Sequence, residues 1–238
     1  MAHAAIVTVG NELLAGDVEN TNGSWLARRL AALGVDVELI AVIGDEIARV
    51  ASYVREQSEA FDVVIVTGGL GGTPDDVTRE SIAAAFEVPQ VEVADVATRL
   101  RARFAGDPEY AARWAHLPAG SRALEIRNGG APGFVIENVY VLPGLPAEME
   151  AMFETIADEL RADAPIATWR RTYRTTEARI VAVLEEMTAL HPGVVVGSYP
   201  SFDGGVSEVE VVVKSGNRAA LAAATAWIEP ALDRATSP

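Results

Sequence analysis

The residues with the clearest chemical meaning form the run VTGGLGGTPDD at positions 66–76. Four glycines between a strand signal and a helix signal are typical of a phosphate-binding loop, because backbone N–H groups point outward there without partners. Asp75 and Asp76 follow at once, and a carboxylate about 4 Å from a phosphate is repelled by ~4 kcal/mol at an effective dielectric constant near 20. A divalent cation between the two groups removes this repulsion, since Mg²⁺ binds one or two carboxylates together with substrate phosphates. The run therefore indicates metal-assisted phosphoanhydride chemistry.

An ordinary helix start explains part of the same run. Thr73 would be the N-cap, Pro74 the first helical residue, and the two aspartates would interact favourably with the helix dipole. This interpretation does not account for the glycines, because each glycine loses more conformational entropy on folding than any other residue. We expect Arg79, on the first turn of that helix, to pair with Asp75 or Asp76.

The elements that must position this loop alternate between strand and helix. Short apolar, β-branched segments predict strands, and segments with a helical apolar period predict helices. This order at these lengths predicts right-handed crossovers and a mostly parallel sheet covered on both faces, that is, a three-layer α/β/α domain. The predicted strands cover 4–9, 36–43, 62–67, 122–127, 133–137 and 139–142, and the predicted helices cover about 25–33, 46–60, 75–86, 93–104, 109–115 and 146–162.

Glycine and carboxylate residues follow several of these strands. Ligands of open parallel sheets bind beyond the carboxyl ends of the strands, so the loops there should meet. Each loop alone is ordinary turn chemistry, and only their shared edge favours a site. We predict Asp76, Asp45 and Glu12 as catalytic residues and Asp75, Asp76 and Asp45 as metal ligands. The predicted ligand-binding residues are Gly10, Asn11, Thr67, Gly68, Gly69, Leu70, Gly71, Gly72, Thr73, Pro143 and Gly144.

A second, smaller unit follows the stretch ADAPIAT. Strand, helix, strand, strand and helix are predicted over 166–173, 177–190, 194–199, 206–213 and 219–232. This is a small α+β unit with βαββα order, and it gives a domain division of 1–165 and 166–238.

Composition excludes several function classes. The net charge of −15 disfavours a nucleic-acid partner, because such binding depends on neutralising phosphates with Lys and Arg. With no cysteine and only three scattered histidines, any metal site would use oxygen ligands. No apolar run reaches the ~20 residues of a membrane span and the start lacks a signal peptide, so we expect a cytoplasmic protein with no membrane partner. The acidic, lysine-poor composition fits a high-salt (halophilic) source or a GC-rich genome equally well.

Four motifs resemble one family, the molybdopterin-binding domains of MoaB/Mog type. They are GNELLAGDVENTN (10–22), TGGLGGTPDDVT (67–78), NGGAPGF (128–134) and LPGLPAEMEAM (142–152). The match is closest to the branch that forms the N-terminal domain of CinA, the competence/damage-inducible protein. The tail resembles the KH-like domain of that branch, although no GxxG loop suggests RNA binding.

The resemblance implies a homo-oligomer, a dimer or trimer, that binds a pterin or a nucleotide as a small-molecule ligand. Relatives include enzymes of molybdenum cofactor metabolism and proteins to which a divalent-metal-dependent (Mg or Co) pyrophosphatase activity on ADP-ribose or FAD is attributed. Carried over by position, Asp76 with Thr78 matches the family's acidic site, and Asp45 matches its second acidic position. We therefore expect such a hydrolase or, alternatively, a non-catalytic molybdopterin- or nucleotide-binding protein. The sequence ends before the deamidase domain of CinA, so we do not expect that activity.

Overall fold

The structure, a computed structural model, describes residues 2–125, 129–162, 166–203 and 205–237. Its contacts separate two compact units, one covering Ala2–Ala162 and the other the C-terminal part of the chain. The boundary that the sequence predicts lies beside residues 163–165, which fall outside the described residues. Within the described ranges, no helix is long and apolar enough to cross a bilayer.

The described residues of the larger unit form eight strands, six of which make up its central sheet. In that sheet the order is β2-β1-β3-β8-β7-β6, while β4 pairs with β5 separately. The strands are β1 (His3–Val9), β2 (Asp36–Ile43), β3 (Val63–Thr67), β4 (Gln90–Glu92), β5 (His116–Pro118), β6 (Arg122–Leu124), β7 (Gly133–Ile136) and β8 (Val139–Leu142).

The first four strands of the central sheet are parallel, β7 pairs antiparallel with β8, and β6 pairs antiparallel with β7. The predicted mostly parallel sheet is therefore confirmed. The register pairs Val9 with Ile43 and Thr67 with Leu142. Thr8 pairs with Thr67, so the four parallel strands end within one residue of one another, and the loops that follow them leave the sheet at one edge.

Helices cover both faces of this sheet, as predicted. Alternate residues of β1 face opposite sides: Ala4 and Ile6 lie in the cluster with α2 and α7, and Ala5 and Val7 lie in the cluster with α3 and α4. This burial on both faces gives the three-layer architecture. The helices are α1 (Asn11–Ala15), α2 (Thr21–Ala32), α3 (Ile47–Ala60), α4 (Thr78–Ala85), α5 (Ala94–Arg103), α6 (Pro108–Ala112) and α7 (Pro146–Leu160), and a 3-10 turn covers Arg113–Ala115.

The helix start predicted at Thr73 is wrong. Helix α4 begins at Thr78, and the four residues before Val77 form a turn in which the Asp76 N–H donates to the Thr73 carbonyl at 3.0 Å. The Asp76 carboxylate accepts from backbone N–H groups that precede it, so it closes the loop instead of capping the helix. Three short elements, α1, β4 and β5, were not predicted, because three to five residues are too few for a periodic signal.

The smaller unit has the predicted βαββα order. Its antiparallel sheet has the order β10-β11-β9, and apolar residues of both helices, including Ile180, Met187 and Ile228, pack against Val211 and Val213. Its KH-like character stays a prediction. The elements are β9 (Ala167–Tyr173), α8 (Glu177–Leu190), β10 (Val195–Asp203), β11 (Val206–Ser215) and α9 (Arg218–Thr236).

Candidate functional site

The loops after the four parallel strands are in direct contact. The Gly10 N–H donates to the carbonyl of Ile43 at 3.0 Å, and the Gly68 N–H donates to the carbonyl of Leu142 at 3.3 Å. A methyl group built on Gly144 would lie 3.3 Å from the Cα of Gly68. The edge that the sequence predicts as a meeting point of loops is therefore one continuous surface.

Two consecutive glycines turn the loop after β3 back toward the sheet. Gly68 and Gly69 have φ angles of +105° and +63°, a region that side chains with a Cβ rarely adopt. A Cβ on Gly68 would overlap the carbonyl oxygen of Val9, and a Cβ on Gly69 would overlap the hydroxyl of Thr78. Only glycine at both positions lets the loop lie between the end of β1 and the start of α4.

The first two residues of α4 hold the carbonyl groups of this loop. Buried Thr78 donates its hydroxyl to the Gly68 carbonyl at 2.8 Å and its N–H to the Gly69 carbonyl at 3.1 Å. Arg79, which is only 5% exposed, donates to the carbonyls of Leu70 and Gly71. Four successive carbonyl groups are thus bound on the α4 side of the loop.

The N–H groups of the same peptides point away from these partners. The peptide bonds are trans, so each N–H is directed opposite to the carbonyl of its own peptide. The Gly71 N–H donates to Asp76 at 2.8 Å. In the described part of the chain, the N–H groups of Gly69, Leu70 and Gly72 have no acceptor. Such a set of oriented N–H groups is suited to hold an anion.

Asp76 closes the loop and also lines the cleft in front of it. Its carboxylate accepts from the N–H groups of Gly71 and Thr73, each at 2.8 Å, and from the Thr73 hydroxyl. Both residues lie in the loop, so the carboxylate fixes the loop's shape. Asp75 beside it is exposed and is not among the residues that line the cleft.

Glu12 and Asp45, the other two predicted catalytic carboxylates, have different environments. Glu12 folds back over Gly10, which has no room for a Cβ, and lines the cleft with Asp76. Asp45 accepts from the Asn11 N–H at 2.8 Å, and its own N–H donates to the Asn11 side chain at 3.3 Å. Asp45 therefore ties the loop after β2 to the start of α1 and does not line the cleft.

The structure does not gather Asp45, Asp75 and Asp76 around one point. In the described ranges, one group of three or more potential ligands has its atoms within 4.8 Å of one another, namely His3, Asp36 and Glu38. His3 and Asp36 begin β1 and β2, at the opposite edge of the sheet. A preformed three-carboxylate metal centre is thus not found at the glycine loop, and the carboxylates that line the cleft are those of Glu12, Asp76 and Glu148.

Hydrogen bonds join the loop after β3 to the loop after β8 through Thr67, Pro143 and Gly144. The Thr67 hydroxyl donates to the Pro143 carbonyl at 2.8 Å. The Asn22 side-chain amide donates to the Gly144 carbonyl at 2.8 Å and to the Thr67 hydroxyl at 3.2 Å. The sequence did not single out Asn22, although it ends the first of the four motifs, and it joins α2 to both loops.

The cleft in front of the glycine loop has a volume of about 710 Å³. That volume lies in the range of small-molecule sites. The sequence did not predict one side of this cleft, which is lined by Arg103, Phe104 and Trp114. It also missed Glu148, whose carboxylate accepts from the Gly130 N–H at 3.1 Å. Glu148 lies in the first turn of α7 after Pro146, and this position next to a strand-end loop is the one feature of the sequence that could have indicated it as a site residue.

The predicted pairing of Arg79 with Asp75 or Asp76 is wrong. The guanidinium points beneath the loop to two carbonyl groups, and burial lowers its pKa from the ordinary value, while the nearby carboxylates of Glu80 and Asp76 raise it. Arg79 forms no ion pair with any described residue, and a cation held behind the loop in this way adds positive potential on the side where an anion would bind.

We expect Arg79→Met to weaken binding of Mg²⁺-pyrophosphate about tenfold, because the positive charge and the two guanidinium N–H donors to loop carbonyls are lost. Stability should change by less than about 2 kcal/mol, because removing a buried charge offsets part of the cost of two unpaired carbonyls. Calorimetric titration and thermal unfolding measure the two effects. Arg28→Met, which removes an exposed arginine of α2, is the control. Equal loss of affinity in both variants would show that only net charge matters.

Two family models match the chain, one for each unit. Residues 5–162 match the model described as "Probable molybdopterin binding domain". Residues 170–237 match the model described as "FAD synthase, middle domain". The first match includes the glycine loop, Asp76 and all carboxylates of the cleft.

Similar proteins occur in archaea and bacteria. A protein of Archaeoglobus fulgidus is 38% identical over 195 residues, which cover 82% of this chain and 84% of that protein. A CinA-like protein of Frankia casuarinae is 41% identical over 200 residues, which cover 77% of this chain but only 46% of that protein. The chain thus spans less than half the length of this CinA-like relative. The crystal structure of the protein CinA from Thermoplasma acidophilum, titled as having unknown function, matches with a TM-score of 0.63 and 30% identity, over 67% of this chain and 99% of that one.

Proposed function

The chain belongs to the molybdopterin-binding domain family and is CinA-like, and from this premise we propose that it is a divalent-metal-dependent pyrophosphatase. Its substrate would be a nucleotide with a diphosphate linkage, of ADP-ribose or FAD type. A cytoplasmic location, a homodimer or homotrimer and the absence of a nucleic-acid partner stay predictions.

The observation that carries this proposal is the arrangement of the glycine loop. Two N–H donors without partners among the described residues, those of Gly69 and Leu70, lie with the Asp76 carboxylate in a cleft of ligand size, and the unpaired Gly72 N–H follows in the same loop. N–H donors favour phosphate oxygens, and a carboxylate next to them is electrostatically favourable when a cation is bound.

The oxygen donors of the cleft fit a divalent metal of the hard type. Mg²⁺ needs only one or two carboxylates when substrate phosphates and water complete its coordination, so a preformed three-carboxylate centre is not required. We assign this role to Asp76, which lines the cleft, and keep Glu12, which lines it too, as the proton acceptor described below. When bound, such an ion neutralises phosphate charge and lowers the pKa of bound water. Asp45, which lies outside the cleft lining, would hold Asn11 and the start of α1 in position.

The proposed reaction consumes one water molecule. An oxygen–phosphorus bond forms from water to one phosphoryl group, and the bond from that phosphorus to the bridging oxygen breaks, with the electron pair leaving on that oxygen. ADP-ribose would thus give AMP and ribose 5-phosphate, and FAD would give AMP and FMN. Glu12 is the carboxylate we propose to accept the water proton, and the loop N–H groups would stabilise the charge on the phosphoryl oxygens.

Turnover by the purified chain tests the proposal. We expect AMP release from ADP-ribose or FAD with Mg²⁺ or Co²⁺ and a loss of at least about a hundredfold with EDTA, because metal catalysis contributes several kcal/mol. The assay, by separation of nucleotides, is run at low and at molar salt, since an acidic protein can require high salt to fold. Release that EDTA leaves unchanged would remove the metal from the mechanism.

The alternative is a binding protein without turnover, and the same sample distinguishes it. Retention of a pterin or a nucleotide with no AMP release under any of these conditions would support a non-catalytic role in molybdenum cofactor metabolism. The cleft supports binding in either case, because both functions use the same N–H groups.

A further inference from the structure

Three aromatic side chains pack together near the glycine loop, and the proposed phosphate chemistry uses none of them. Phe104 and Trp114 have ring centroids 5.2 Å apart at 87°, and Tyr110 and Trp114 have centroids 5.7 Å apart at 70°. We call Phe104 and Trp114, which both line the cleft, the aromatic wall, and Tyr110 packs against Trp114 beside Gly72. Aromatic side chains are sparse in this chain, at 6% of its residues, so two of them together at a cleft require an explanation.

The back of the wall is anchored in the protein. Phe104 and Trp114 pack against a small apolar cluster formed by buried residues of α5, α6 and the 3-10 turn, namely Val96, Leu100, Ala111 and Ala115 with Ala97. Both rings remain partly exposed, and both line the 710 Å³ cleft that the glycine loop also lines. Because packing already fixes these rings, a ligand that binds to them loses little side-chain entropy.

Gly72 brings the loop directly against this wall. A Cβ on Gly72 would lie 2.9 Å from Trp114 Nε1 and closer still to the Tyr110 hydroxyl, which is tighter than real Cβ contacts. Gly69 and Leu70, the proposed phosphate donors that line the cleft, share it with Phe104 and Trp114, whereas Gly72 lines a separate pocket. A phosphate held by the N–H groups of Gly69 and Leu70 would thus lie in the same cleft as the aromatic wall.

Arg103 extends the same surface. Its guanidinium carbon lies 5.2 Å from the centroid of the Phe104 ring, and the side chain lines the cleft. A guanidinium is planar and weakly hydrated, so it stacks on rings and also attracts phosphate. The carboxylates of Glu12, Asp76 and Glu148 line the other parts of the cleft. The cleft thus combines an anion site with a flat apolar surface.

From this combination we infer that the aromatic wall binds the heteroaromatic ring of the ligand, while the diphosphate attached to that ring lies on the glycine loop. The inference rests on the proposed phosphate site and adds to it the residues that would recognise the ring of the substrate. It selects nucleotides, whose purine or flavin ring has a face to stack, over sugar phosphates and inorganic polyphosphates, which have none.

The test compares a ligand that has a ring with one that lacks it. The probes are α,β-methylene-ADP and methylenediphosphonate, each with Mg²⁺, which share a diphosphate unit that cannot be hydrolysed at the methylene bridge. For Phe104→Leu we expect about tenfold weaker binding of the nucleotide, within the range for stacking on one aromatic side chain, and unchanged binding of the diphosphonate. Phe104→Tyr keeps the ring and should restore most of the nucleotide affinity.

The matched control is Phe86→Leu, which makes the same change at a partly buried position that packs on another cluster and does not line the cleft. Thermal unfolding shows that each variant is folded before titration. Equal weakening of both probes, no weakening of either, or the same loss in Phe86→Leu would overturn the inference and leave the phosphate site in place. If neither probe binds to the unchanged protein, the proposed function fails, and the inference fails with it.

Discussion

Replacing Asp76 by asparagine should lower AMP release from ADP-ribose at least about a hundredfold, the scale of losing a metal ligand or one electrostatic stabiliser in an active site. The carboxylate accepts from the N–H groups of Gly71 and Thr73 and still lines the cleft. Asparagine offers one carbonyl oxygen and no charge, so a bound cation loses its strongest ligand. Initial rates over a series of Mg²⁺ concentrations measure the effect, and the apparent metal affinity should fall together with the maximal rate.

The neighbouring aspartate provides the control for charge. Asp75→Asn removes the same charge one residue earlier, at an exposed position that does not line the cleft. We expect Asp75→Asn to keep activity within about threefold, because exposed charges are screened by solvent and salt. Thr73→Val separates the two roles of Asp76, since it removes only the hydroxyl donor to the carboxylate. Full activity of Asp76→Asn, or equal losses in both asparagine variants, would remove Asp76 from the mechanism.

Replacing Gly68 by alanine should lower the free energy of unfolding by about 2 to 5 kcal/mol. The left-handed backbone at φ +105° costs roughly 1–2 kcal/mol with a side chain, and the forced overlap with a backbone atom adds about 1–3 kcal/mol. The atom that the new Cβ would meet is the carbonyl oxygen of Val9, which is fixed at the end of the buried strand β1. Denaturant titration followed by circular dichroism measures the change.

Gly120→Ala is the matched variant for this measurement. Gly120 has a similar φ of +85°, but a Cβ there would have no atom within 4 Å, so only the backbone strain of about 1–2 kcal/mol applies. The difference between the two variants therefore isolates the close approach of the glycine loop to β1. Similar losses at both positions would mean that the loop yields easily and that its N–H groups are not held in place.

The sequence predicted the framework of this fold because burial on two faces leaves a strong signal. Strand β3 is a continuous β-branched run, and every residue of it is buried. The helix over Glu177–Leu190 was predicted with its observed bounds, because its apolar residues recur with a helical period. Burial patterns of this kind depend only on which residues avoid water, so each strand or helix can be predicted from its own segment of sequence.

The turn before α4 shows where local rules fail. Thr73 followed by Pro74 satisfies every local rule for a helix start, but Asp76 binds N–H groups of the preceding loop, so the helix begins only at Thr78. Arg79 likewise binds carbonyls of residues eight and nine positions earlier, where the first-turn rule predicts an ion pair. In both cases the folded loop offers a hydrogen-bond partner from earlier in the chain, and that partner replaces the neighbouring one that local rules predict.

The sequence by itself determined that glycines and carboxylates end the parallel strands and therefore meet at one edge, because parallel strands share a direction. Only the tertiary structure decided which of them face the cleft. It directed Asp76 and Glu12 to the cleft and Asp45 to Asn11, and it brought Phe104 and Trp114 opposite the loop. Positions of side chains across a cleft depend on how separate helices pack, and no periodicity along a single segment records that packing.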